Sequence, residues 1–215
     1  MPQPTKSSGR ATPLRSSDKA IATRAALVEL AAELFSTRGY LQTSIRDVAR
    51  EASVTTGAIY GHFRNKAELL AAAIADRTER DLDSAYRSTA GSDRHVDSLR
   101  TLTRRYPERR QLRALILQGS AAALTDDVTR QQLRDEHLRH LRAWVAAYAA
   151  NRDSLAIDPS LDLYDAVLYS WAAEVGLGVL EALGIEPKTK KGWADAAARF
   201  ARSFALPQEP PKERS

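Results

Sequence analysis

The fold turns on two short runs. Thr43-Ser44-Ile45-Arg46-Asp47-Val48-Ala49 is followed closely by Val54-Thr55-Thr56-Gly57-Ala58-Ile59-Tyr60-Gly61-His62-Phe63. Ser44 with Asp47 three residues on is a near capping box, the signature of a helix start. Ile45, Val48, Ala49 and Ala52 recur at helical spacing and give that helix a buried stripe ending by Ser53. Thr55 caps a second, shorter helix expected to reach Phe63. Ile45, Val48, Ala49, Val54 and Ile59 are spaced to share a core, so the two helices have helix-turn-helix dimensions.

The content of the shorter helix is unusual. Gly57, Ala58 and Gly61 do little to stabilise it, since glycine costs about 1 kcal/mol inside a helix. Small residues make sense where a helix presses its backbone against a surface, and a DNA major groove admits one α-helix. Thr56 is placed to reach a base edge or a thymine methyl, and Tyr60 and His62 to reach phosphates. Lys66 falls in the first turn of the next helix. The helix dipole disfavours a cation there unless amides and ammonium hold an anion together. Taken singly, Tyr60 could be a core aromatic, His62 a surface histidine and Lys66 an ordinary surface charge. Phe63 is read as core.

Charge placement separates this region from the rest. Residues 1–66 hold ten Lys/Arg against five Asp/Glu, whereas residues 67–215 hold 22 of each. The whole net charge of +5 lies in the first third, a basic module on a neutral body, which suits a polyanionic partner. Residues 1–17, rich in Ser, Thr, Pro and Gly, are expected to be a disordered basic arm, and 207–215 a disordered tail. The chain has no cysteine, which excludes a disulfide framework, a thiolate zinc site and a thiol nucleophile. No run approaches 18 uncharged apolar residues and the N-terminus has no apolar signal core, so no membrane segment is expected and the location is read as cytoplasmic.

Helical periodicity continues on both sides. A first helix runs from about Asp18 to Gly39 with Val28, Ala31, Ala32 and Phe35 inward. Asn65 with Glu68 caps another to about Tyr86. Further helices are expected near 93–105, 108–124, 126–151, 161–184 and 189–206. They are separated by Ala90-Gly91-Ser92, Tyr106-Pro107, Asp158-Pro159 and Gly184 to Pro187. No run alternates like a strand. The chain is therefore expected to be all-α, with about nine helices.

Residues 21–74 resemble the DNA-binding domain of TetR-type (tetracycline-repressor-like) regulators. The resemblance rests on Thr23-Arg24-Ala25-Ala26-Leu27, Ala32-Glu33-Leu34-Phe35, Arg38-Gly39-Tyr40, the two runs quoted above, and His62-Phe63-Arg64-Asn65-Lys66-Ala67-Glu68-Leu69-Leu70. It implies that 18–70 is a DNA-binding domain with its reading motif at about 44–63. It also implies DNA contacts from Ser44, Arg46, Thr55, Thr56, Gly57, Tyr60, His62 and Lys66. One departure stands out: Ser53 occupies a turn position where the family usually has glycine, which takes positive φ freely.

For residues 71–206 the resemblance implies a helical domain that binds an effector and dimerises through its last two long helices. The residues lend some support. Helix 161–184 is apolar nearly all round, so it is buried on more than one side. Val175, Gly178, Trp193, Phe200 and Phe204 are the expected dimer contacts; an interior helix of a monomer is the alternative. His137, Trp144 and Tyr148 share a helix face, and Ser170 and Glu174 belong to a thin polar stripe with Glu181. These are the expected effector pocket. Read one at a time, Trp144 and Tyr148 would be core, and His137 and His140 surface.

The function expected is a DNA-binding transcriptional regulator, a repressor released from a near-palindromic operator by a small-molecule effector and acting as a homodimer. No cofactor, metal or enzymatic activity is expected. A metal-dependent helical enzyme is the first alternative, from His137 and His140 with Asp135 and Glu136 nearby. Against it, Glu136 is read as facing away from His140. An effector-free structural DNA-binding protein is the second, and the large neutral body argues against it.

Overall fold

The computed structural model describes residues 16–88, 103–150, 152–153 and 157–202. Its regular elements are helices: α1 (Ser16–Arg38), α2 (Ile45–Glu51), α3 (Thr56–Tyr60), α4 (Lys66–Ser88), α5 (Arg110–Ala123), α6 (Asp127–Ala150), α7 (Leu163–Ala182) and α8 (Lys190–Arg202). These make eight helices among the described residues. Most of the helix expected near 93–105 falls outside them, as do most of the basic arm, the C-terminal tail and Phe204.

The local starts and stops follow side-chain chemistry. Ser44 Oγ accepts a hydrogen bond from Asp47 N, and the Asp47 carboxylate accepts one from Ser44 N at 2.9 Å, so the capping box is complete. These bonds, chiefly those from Ser44, hold the Asp47 carboxyl down at about 2. Thr55 Oγ1 accepts from Ala58 N at 3.1 Å and opens α3. That helix stops at Tyr60, not at Phe63. Gly61 closes it, and the carbonyl of Ile59 accepts from both His62 N and Phe63 N at 2.9 Å, which turns the chain. His62 and Phe63 therefore stand beyond the reading helix.

Two turns need a left-handed backbone. Gly39 closes α1 at φ +98°, as its glycine allows. Ser53, after α2, sits at φ 54° without that freedom. A left-handed residue other than glycine costs about 1–2 kcal/mol. Ser53→Gly is thus expected to raise stability by about 0.5–1 kcal/mol, part of the relief being offset by the freer unfolded chain. Thermal or urea unfolding checks this, and a loss of stability would show that the Ser53 side chain contributes something the backbone does not.

One apolar cluster runs from the small helices into the body. Val28, Ala31 and Phe35 of α1, Val48 of α2, Ile59 of α3 and Leu69, Leu70 and Ile74 of α4 pack together. Leu112, Leu115 and Ile116 of α5 and Leu133 of α6 join them. Polar ties reinforce the junction. Gln118 Oε1 accepts from Tyr40 N at 2.5 Å, and the buried Tyr40 hydroxyl lies 3.1 Å from Thr129 Oγ1. Arg77 pairs with Glu29 at 2.5 Å and donates to Gln111 Oε1, while Gln111 donates to Ser36 Oγ. The reading head is thus joined to α5 at two points, Gln111 and Gln118.

Candidate nucleic-acid interface and ligand cavity

In the helix-turn-helix, Ile59 and Phe63 are buried and hold α3 to the core, with Arg24 lying 4.8 Å over the Phe63 ring. The opposite side is open. Arg46, Thr55, Gly57, Ala58 and Tyr60 are exposed, and Thr56 and His62 are half-buried. A Cβ added at Gly57 would meet only its neighbour's Thr55 Oγ1, at 3.7 Å, so its smallness serves nothing inside the chain. Ser44 and Thr55 are exposed, but their hydroxyls already serve as caps.

Lys66 has an inward role that its position alone did not suggest. Its Nζ donates to the carbonyls of Tyr40 at 2.8 Å and Thr43 at 3.1 Å, and lies 4.2 Å over the Tyr40 ring. Burial lowers its pKa and the Asp126 carboxylate opposes that. The start of α4 is thereby fastened beside the start of α2, one residue before Ser44. Two of the three ammonium donors are occupied by these carbonyls.

In the body, α5, α6, α7 and α8 surround a cavity of about 460 Å³. Its wall includes all five residues expected at a pocket, His137, Trp144, Tyr148, Ser170 and Glu174. Trp193 and Phe200, expected at a dimer contact, line it too, as does Trp171. Trp144 stacks on Tyr148 with centroids 5.6 Å apart, Phe200 on Tyr169 at 4.9 Å, and His137 meets Trp171 edge-on at 4.7 Å. Trp171 lies one turn before Glu174, on the same stripe of α7, which was the available signal for it.

The polar side of this wall differs from the expectation. Glu174 Oε1 accepts from Arg113 Nη1 at 2.8 Å, and its Oε2 lies 3.2 Å from Arg109. Arg113 is 1% exposed and also donates twice to Glu181, at 2.7 Å each, and to the carbonyl of Tyr106. Burial works against the Arg113 charge, and its hydrogen bonds to the Glu181 and Glu174 carboxylates, with their negative charges, more than offset it, so its pKa is raised. The Glu174/Glu181 stripe therefore answers a buried arginine from another helix.

The histidines also depart from a surface reading. His140 is buried, and its Nδ1 lies 3.1 Å from Glu136 Oε1. Glu136 thus does not face away from it: residues four apart share a helix face. Among the described residues no group of three or more His, Cys, Asp or Glu is placed to hold a metal. Burial, and then the neighbouring His140, lower the His137 pKa from 6.5 to about 4. An imidazole kept neutral by the fold takes up protons more readily when unfolded, so stability falls as pH drops from 6.5 towards 4. His137→Gln is expected to remove this part of the acid sensitivity. Equal slopes of stability against pH in variant and parent would assign it to other groups.

Two expected dimer contacts point the wrong way. Val175 packs on the core, and Gly178 is buried where an added Cβ would stand 3.0 Å from Arg113 Cβ. Both lie on the inward side of α7, towards α5. The outward stripe is Leu168, Ala172, Gly176, Val179 and Leu183, all exposed. No helix among the described residues is long and apolar enough to cross a membrane.

The profile of the tetR family of bacterial regulatory proteins matches residues 27–73. Residues 27–73 thus carry the DNA-binding domain of the tetR family. It is 41% identical over 85 residues to the HTH-type transcriptional regulator TtgR of Pseudomonas putida, a match covering 40% of each chain. It is 26% identical over 144 residues to the HTH-type transcriptional repressor KstR2 of Mycobacterium tuberculosis, covering 65% of this chain and 72% of that one. Among solved structures, one from Rhodococcus sp. assigned to the TetR family superposes over 86% of this chain and 98% of its own. The TM-score is 0.71 at 22% identity, a likeness of fold. The chain spans about two fifths of the length of TtgR, the curated relative it matches at 41% identity.

Proposed function

We propose that this chain is a sequence-specific DNA-binding transcriptional regulator, a repressor whose grip on its operator is released by a small molecule in the α5–α8 cavity. It works as a homodimer, joined through the outward stripe of α7, in the compartment that holds the chromosome. Arg46, Thr56, Gly57, Tyr60 and His62 supply the DNA face, and Lys66 reaches a phosphate. The effector lies against His137, Trp144, Tyr148, Ser170 and Glu174. No catalytic step is assigned to the chain.

The observation that carries this reading is the double duty of α5. Leu112 and Ile116 stand on the cavity wall, while Gln111 and Gln118 of the same helix hold Ser36 and Tyr40 of the reading head. A ligand that favours one position of α5 favours one angle of the head, and so one spacing of the two reading helices across a dimer.

Selection from a random DNA library tests the reading. A near-palindromic site is expected to be enriched, and no enrichment would rule out sequence-specific binding. On the selected site, Lys66→Met is expected to weaken binding and to reduce the slope of log affinity against log salt by about one. An unchanged slope would confine Lys66 to its inward role.

A further inference from the structure

Every tryptophan of the chain, Trp144, Trp171 and Trp193, stands on the wall of the same cavity. Resting on the reading of that cavity as the effector site, we propose that it takes an uncharged aromatic molecule carrying a hydroxyl or N–H donor. The rings lie against the indoles, and the donor hydrogen-bonds to Nε2 of His140.

The wall's charges are already matched. Among the described residues its one carboxylate, Glu174, pairs with Arg109 and Arg113, and Arg109 is the one arginine on the wall. An anion would have to take Arg109 from Glu174, and a cation would have to take Glu174 from two arginines. Burial keeps the neighbouring imidazole of His137 uncharged at neutral pH. A charged ligand would give up its hydration here without a free partner, whereas a neutral one gives up little. The large flat side chains offer ring faces and edges suited to another aromatic ring. A cavity of about 460 Å³ is of the size that holds a molecule of two or three rings.

The polar anchor comes from an unmet group. His140 is 8% exposed and lines the cavity, with Nδ1 against Glu136. With its proton on Nδ1, beside the Glu136 carboxylate, the neutral imidazole presents Nε2 as an acceptor. Nε2 is buried with no hydrogen-bond partner, as is Glu136 Oε1. Buried polar atoms without a partner are few in native proteins, and a ligand donor would satisfy Nε2.

Four probes on one ring system separate the requirements: 2-naphthol, its methyl ether 2-methoxynaphthalene, the anion 2-naphthoate and the cation 2-naphthylmethylammonium. Calorimetric titration of the full chain measures each affinity, and quenching of tryptophan fluorescence places the ligand, since all three indoles stand at the site. We expect 2-naphthol to bind at least tenfold more tightly than the ether and than either ion. In His140→Leu the preference for naphthol over its ether should vanish. An ion binding tightest, an ether equal to the naphthol, or no saturable binding by any probe would overturn the proposal. Should His140→Leu not fold, the order of the four probes on the parent chain decides alone. Release of the selected DNA is measured separately. Naphthol that binds without releasing DNA overturns the effector reading and keeps the site's chemistry, and preference for an ion does the reverse.

Discussion

Arg113→Met is expected to cost about 3–5 kcal/mol of folding stability, the loss associated with removing one partner of a buried ion pair. Methionine fills much of the same space, so the loss comes from charge and not from a void. What it leaves behind is Glu181, whose side chain is 5% exposed and whose next cation, Arg110, stands 3.9 Å away. Such a loss is a large share of the roughly 5–15 kcal/mol that a domain commonly has. Removing the stranded carboxylate as well should reverse much of it, because an apolar replacement of a buried pair is often neutral or better. Arg113→Met with Glu181→Leu is therefore expected to be clearly more stable than Arg113→Met alone. Chemical denaturation measures both. If the single variant stays within about 1 kcal/mol of the parent, water or local movement relieves Glu181 and the ion cluster does not hold α5 to α7.

The cluster also shows what was legible in the sequence and what was not. Ser44 with Asp47, and Thr55 before Ala58, are local: each cap lies within one turn of its helix, so spacing alone reveals it. Ser53 was legible as a strained turn only through the family resemblance, which sets glycine at that position, and its φ of 54° agrees. Arg113 was not legible, because its partners Glu174 and Glu181 lie on another helix 61 and 68 residues away. The trace it left was two glutamates two turns apart on an apolar helix. The pocket residues emerged because aromatic and polar side chains recurred on single faces of α6 and α7. Their meeting with Trp193 and Phe200 needed the packing of four helices. The face of α7 was harder still. Periodicity carries little information where nearly every position is apolar, so Val175 and Gly178 could not be told from Leu168 and Val179 until α5 was in place.

That correction changes where the dimer should be broken. Phe200 stacks on Tyr169 at the cavity, so a charge there would disturb the pocket along with any interface. Val179 is 42% exposed, and Gly176, one turn before it, would meet nothing within 4 Å if given a Cβ. A charge at Val179 thus costs the isolated chain little. In a two-fold dimer built on the Leu168–Val179–Leu183 stripe it is buried twice, and each copy's aspartate lies near the other's surface. Several kcal/mol against association follow, enough to weaken the dimer by two orders of magnitude or more. Val179→Asp is therefore expected to sediment as a folded monomer where the parent is a dimer. It is also expected to lose most of its affinity for the selected palindromic DNA. One reading helix touches too few base pairs to discriminate among genomic sites, and the second copy supplies the other half-site. A Val179→Asp chain that remains a dimer with undiminished DNA affinity would move the interface off this stripe. A parent chain that is monomeric at micromolar concentration would remove the two-fold reading altogether.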